Sequence, residues 1–141
     1  INADGQGPFW VKVVVAEPTA TPTTVPAEAD IIITDYTLVP NPPTKNQDVT
    51  VNISVYNNGD AAAGAFKVQW WASVSAPSAA CEWDIASMAA KGGLVKSCVY
   101  QYPSWYAKIT TKVIVDSGDT ISESDETNNS TELEISVNDS P

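Results

Sequence analysis

The side chains best suited to chemistry crowd the end of the chain. From Asp116 to Asp139 there are eight carboxylates and no lysine. Asp116, Asp119, Glu123, Asp125 and Glu126 fall within one short stretch. Hard oxygen donors at that density suit calcium, which takes about six to eight oxygen ligands. No cofactor is expected, calcium being the one candidate, with these five residues as its ligands. The spacing is not that of an EF-hand, because the required Gly and the final Glu do not fall into register. The competing reading is structural: Glu126, Asn128 and Asn129 bond backbone groups in a turn. Glycoside hydrolysis needs two carboxyl groups facing a sugar-sized cleft, which a compact sandwich does not offer. The chain contains no His, so an imidazole base, a Ser-His-Asp triad and a His-ligated metal are all excluded. No catalytic residue is expected.

Two cysteines, Cys81 and Cys98, are too few for a four-ligand zinc site and do not form a CxxC pair. We read them as a disulfide, with two buried thiols as the alternative. A bridge would place the protein in an oxidising compartment. It would contribute about 3 kcal/mol in the chain-entropy account. Asn52, Asn128, Asn129 and Asn138 each open an Asn-x-Ser/Thr triplet and are candidate glycosylation sites. Trp71, Trp83 and Trp105 are candidates for stacking on sugar rings where they stand outward in a shallow row. The plainer reading of such aromatics is packing beneath a loop or against another module. Trp70 is expected in the core, with Trp71 and one or both of Tyr100 and Tyr102 facing out.

The elements that must position these residues are strands. The chain has 141 residues, 43% hydrophobic, with seven basic residues, all Lys, against 17 acidic ones and a net charge of -10. Such a charge without Arg repels a nucleic-acid backbone. No apolar run reaches the ~18 residues that span a bilayer. Residues 31–39 are apolar and β-branched and stop at Pro40-Asn41-Pro42-Pro43. Val49, Val51, Ile53 and Val55 alternate with polar residues, as do Phe66, Val68 and Trp70, so each strand has one dry face. Further strands are expected over 94–102, 109–115 and 129–137. A short helical turn is expected near 85–90. Six or seven short strands with turns at this spacing predict an all-β antiparallel sandwich.

Ahead of that domain (30–141) stand two other segments. Residues 17–29 carry Pro18, Pro22 and Pro26, which exclude helix and central strand and favour a stiff extended spacer. Within residues 1–16, Phe9, Val11, Val13 and Val15 alternate onto one face. An isolated strand cannot satisfy its backbone, so this one needs a host sheet. It is the remnant of a preceding domain, a strand donated to a neighbour, or a strand folded back on its own domain.

The stretch from Ala27 to Trp71 resembles the opening of a CARDB domain, the cell-adhesion-related domain of bacteria and archaea. The matching residues are Asp30, Pro40-Asn41-Pro42, Asn46-Gln47 and Asn58-Gly59-Asp60-Ala61. The closing pattern is similar too, through Asp116, Ile121, Glu123, Ser124, Glu126, Asn128 and Asn129. The middle, from Cys81 to Met88, is longer and more aromatic than usual. The resemblance implies an immunoglobulin-like seven-stranded sandwich, an extracellular prokaryotic setting and no catalytic residues. The functional expectation is a structural or adhesive surface module, self-assembling head to tail through Phe9–Val15. Its partners are copies of itself or neighbouring modules. The alternatives are a carbohydrate-binding module or a spacer in a larger secreted protein.

Overall fold

The computed structural model describes residues 25–140. Seven strands follow in chain order: β1 (Ile31–Val39), β2 (Asp48–Asn57), β3 (Phe66–Trp71), β4 (Cys81–Ile85), β5 (Gly93–Gln101), β6 (Tyr106–Val115) and β7 (Ser130–Val137). They form a three-stranded sheet, β1-β2-β5, and a four-stranded sheet, β4-β3-β6-β7. Every ladder is antiparallel. This is the antiparallel sandwich that the alternation predicts, with the seven strands and immunoglobulin-like form that the resemblance implies. The Phe9–Val15 strand and the spacer before Val25 lie outside the described residues.

The core is built by the dry faces of the three central strands. Val49, Val51, Ile53 and Val55 of β2 are buried against Phe66, Val68 and Trp70 of β3 and Val113 and Val115 of β6. Burying each such side chain stabilises the fold by roughly 1.5–3 kcal/mol. Trp70 needs a partner for its indole N–H in this dry setting. It donates to Tyr36 Oη at 2.6 Å, and that hydroxyl also bonds Thr111 Oγ1. One hydrogen-bonded chain thus joins β1, β3 and β6.

The stretch without clear pattern is where the structure departs from expectation. Cys81–Ile85 is a strand that pairs with β3, Phe66 opposite Ile85 and Trp70 opposite Cys81. No helical turn forms over 85–90. Ile85 ends β4, and Met88 is tied by backbone bonds in both directions to Ala63. Tertiary pairing overrides the weak local preference of this Ala-rich run. Tyr100 and Tyr102 do not face out either. Tyr102 is buried and donates to Ala72 O at 3.1 Å. Tyr100 packs on the core, edge-on to Trp70 at 5.3 Å between ring centroids.

Cys81 and Cys98 form a disulfide, with 6.7 Å between their α carbons. It joins β4 to β5, the edge strands of the two sheets on the same side of the sandwich. An odd number of alternating strands puts entry and exit at opposite ends. Ala29 forms a bridge with Glu123 at one end, and Asn138 forms one with Thr44 at the other.

Candidate functional site

The acidic stretch becomes a clasp around the entering chain. β6 ends at Val115, and Asp116 and Asp119 take positive φ, 47° and 51°, a region that Asp tolerates better than most residues. This turns the chain sharply. The Asp116 carboxylate then accepts from Thr120 N at 3.0 Å, Thr120 Oγ1 at 2.8 Å and Ile121 N at 2.8 Å. It holds its own loop shut. Glu123, buried, reaches across to accept from Ile31 N at the start of β1, and from Asn129 Nδ2 at 2.6 Å. Glu126 accepts from Glu123 N at 2.9 Å. Asp125 accepts from Thr127 N and Oγ1, and Asp119 stands exposed.

The other half of the clasp comes from the β2–β3 turn. Asn57, fully buried, accepts from Asp30 N at 3.1 Å and Gly59 N at 3.0 Å. Its amide donates to Ala61 O at 2.8 Å and Met88 O at 3.4 Å. Asp30 in turn accepts from Asn128 Nδ2 at 2.8 Å and Asn58 Nδ2 at 3.1 Å. Gly59 lies so close to the entering backbone that a β carbon would sit 2.3 Å from Glu28 O. Only a residue without a side chain fits there.

These contacts set the ionisation of the carboxylates. Burial pushes Glu123 up, opposed by the hydrogen bonds from Ile31 N and Asn129 and reinforced by the charges of Glu126 and Asp116. The Thr127 hydrogen bonds hold Asp125 below the usual range. The candidate calcium ligands do not converge. Among the described residues no group of three His, Cys, Asp or Glu is placed to hold a metal. Asn128 Oδ1 and Asn129 Oδ1 are buried acceptors without a partner. The carboxylates beside them accept N–H groups, however, and a cation would have to displace those bonds. The donor set does not fit calcium as it stands.

The candidate glycosylation sites differ in access. Asn138 is exposed beside the exit. Asn52 accepts from Ser97 Oγ at 2.7 Å across the β2–β5 ladder. Asn128 and Asn129 use their amide nitrogens inside the clasp.

The three tryptophans lie on three different surfaces. Trp71 is on the outer face of the larger sheet, with Lys112 Nζ 5.0 Å from its ring centroid. Trp83 is directed inward from β4, opposite Val68. Trp105 stands 58% exposed between β5 and β6. Near it Tyr100, Tyr102 and Tyr106 stack edge to face, at 4.9 and 6.3 Å, in the wall of an open depression with Val74 and Lys108.

Sequence reasoning singled out Glu123, Glu126, Asn128 and Asn129 but not Asn57, which holds the Asp30 N–H from the other side of the entering chain. The signal available was the Asn-Asn-Gly-Asp turn, where a residue at the end of a dry-faced strand is polar.

Comparison with known proteins places these features in a family. The family model of CARDB matches residues 28–133. A CARDB domain from Pyrococcus furiosus, crystallised in complex with di-metal ions, superposes with a TM-score of 0.67 at 18% identity. It covers 79% of this chain and 96% of that one. A domain of a candidate cell surface protein from Methanosarcina acetivorans gives 0.62 at 17% identity, covering 78% and 92%. No curated protein matches the chain.

Proposed function

This chain belongs to the CARDB family, and on that premise we propose that it is a non-catalytic structural module of a prokaryotic cell surface, joined end to end with its neighbours. The observation that carries this reading is the placement of entry and exit. Ala29 and Asn138 are tied to opposite ends of the sandwich, so each module adds the length of its strands to a string. At ~3.3 Å per residue, a ten-residue strand contributes about 33 Å.

Two further features support it. The disulfide fits oxidising surroundings. The clasp carboxylates of Asp116, Glu123 and Glu126 accept backbone N–H groups, which is the work of side chains that close a turn or fasten a strand.

The joint is the Phe9–Val15 strand, which alternates and needs a sheet outside its own segment. Donated to the next copy, it makes a head-to-tail contact that does not close on itself, which produces a filament. The experiment is deletion of residues 1–16, with negative-stain microscopy and light scattering on both proteins. The full chain is expected to form fibres and the shortened one to stay monomeric. Fibres from the shortened chain would exclude the donated strand. Monomers from both would exclude assembly and leave a spacer.

A further inference from the structure

Three of the four sheet edges are blunted. β1 shifts register between Ile33 and Asp35. β4 has five residues and turns Glu82 and Asp84 outward. β7 carries Glu132 and Glu134 on its outer face. Bulges, short length and charge are the usual guards against edge pairing. β5 is not short, has no bulge and carries no charge on its outer face, which leaves the inward-facing Lys96 as its one guard. It runs nine residues in unbroken register with β2, from Gly93 opposite Tyr56 to Gln101 opposite Asp48. Its outward side chains include Val95, 63% exposed, and Val99, 60% exposed. Its one charged residue, Lys96, alternates onto the other face. Among the described residues β2 is its only ladder partner.

We propose that the free edge of β5 is the acceptor for a donated strand, and that the occupant is the Phe9–Val15 segment of a second copy of this chain. This rests on the end-to-end reading above and names the surface that completes it. The side-chain patterns correspond on the outer face. Val95 and Val99 are four residues apart there, with Ser97 between them. Trp10 and Val14 are also four apart, with Lys12 between them. An antiparallel strand that sets Trp10 beside Val99 and Val14 beside Val95 covers both exposed valines. On the inward face the same register brings Phe9, Val11 and Val15 alongside Tyr100, Cys98 and Leu94, and sets Val13 beside the methylene stem of Lys96. Cross-strand aromatic and β-branched pairs of this kind are favourable.

Reach selects a second copy rather than the chain's own strand. Ile31 opposes Asn57, and Gly93 opposes Tyr56, so β5 starts at the end where the chain enters. A strand added beyond β5 would lie three strand spacings from β1, about 14 Å. The Pro-rich spacer of residues 17–29, held extended, measures about 40 Å. It overshoots its own edge and suits a neighbour's.

The test uses the full chain and the V95K/V99K variant, whose substitutions are at exposed positions and leave the core intact. Hydrogen exchange of those β5 amides that do not bond β2 is followed over a range of protein concentrations, with light scattering in parallel. The expected result is exchange at β5 that slows at least tenfold as fibres form, with neither slowing nor fibres in the variant. Fibres with fast β5 exchange, or fibres that survive in V95K/V99K, would overturn the acceptor edge while the end-to-end reading stands. Slow β5 exchange in monomers at every concentration would show the chain covering its own edge and overturn the second copy. Monomers with fast β5 exchange would overturn both.

Discussion

Asn57 is the residue whose loss should be felt most. Its side chain holds Asp30 N, Gly59 N and Ala61 O, and makes a longer bond to Met88 O. The residue is fully buried. Asn57→Ala leaves Asp30 N, Gly59 N and Ala61 O without these partners. Each orphaned buried group costs about 1–3 kcal/mol, and water entering the space left by the side chain keeps each near the lower figure. The expected destabilisation is about 3 kcal/mol. For a domain of this size that lowers the thermal midpoint by roughly 10–15 °C. Urea unfolding followed by tryptophan fluorescence should show a lower midpoint with an unchanged slope. Asn57→Asp separates hydrogen bonding from shape. It keeps both accepted bonds but sets an anionic oxygen against Ala61 O beside Asp30. It should be at least as damaging as Ala at neutral pH and recover as the pH falls and the carboxyl protonates. A loss below about 1 kcal/mol for Asn57→Ala, or an Asp variant as stable as the parent at pH 7, would refute the assignment.

Glu123 titrates above the ordinary carboxylate range because it is buried. Its contribution to stability is therefore full below the unfolded value and lost as the pH rises through the folded one. The parent should gain on Glu123→Gln as the pH is lowered through that window, read as the difference in urea midpoints. Replacing Cys81 and Cys98 by Ala should cost roughly 3 kcal/mol, from loop closure across a separation of 17 residues. Chemical unfolding measures that loss. Tyr36→Phe leaves Trp70 Nε1 without its acceptor and should cost about 1–3 kcal/mol, with a shifted Trp emission in the folded state.

The strands that could be read from the sequence are those with two different faces. β2 alternates valine and isoleucine with polar residues because one side meets the core and the other water. The same holds for β3 and β7. β4 was not legible, since Cys81-Glu82-Trp83-Asp84-Ile85 resembles turn as much as strand until β3 is present to pair with it. Tyr100 and Tyr102 were misplaced for a related reason. Period two continues through β5, but Tyr102 lies past its end, where a buried acceptor, Ala72 O, decides its direction. Within the clasp, Glu123, Asn128 and Asn129 stood out as polar residues in a short connection. Their roles did not, because what Glu123 and Asn128 hold lies 92 and 98 residues away in the chain, at the Ile31 N–H and the Asp30 carboxylate. A carboxylate that binds a metal and one that accepts an amide N–H are the same residue in sequence. The tryptophans show the same limit: residue type suggested a common surface, and strand register divided them.

The opposite placement of Ala29 and Asn138 has a mechanical consequence. A pull between the two ends runs along the strand axes, while antiparallel ladder bonds lie across them. Eight residue pairs couple β1 to β2, and seven couple β6 to β7. Tension therefore loads each of these ladders in shear, with its bonds resisting together, whereas a peeling geometry would break them one at a time. A domain clasped this way at its entry is arranged to bear stretching between its two ends with its sandwich intact.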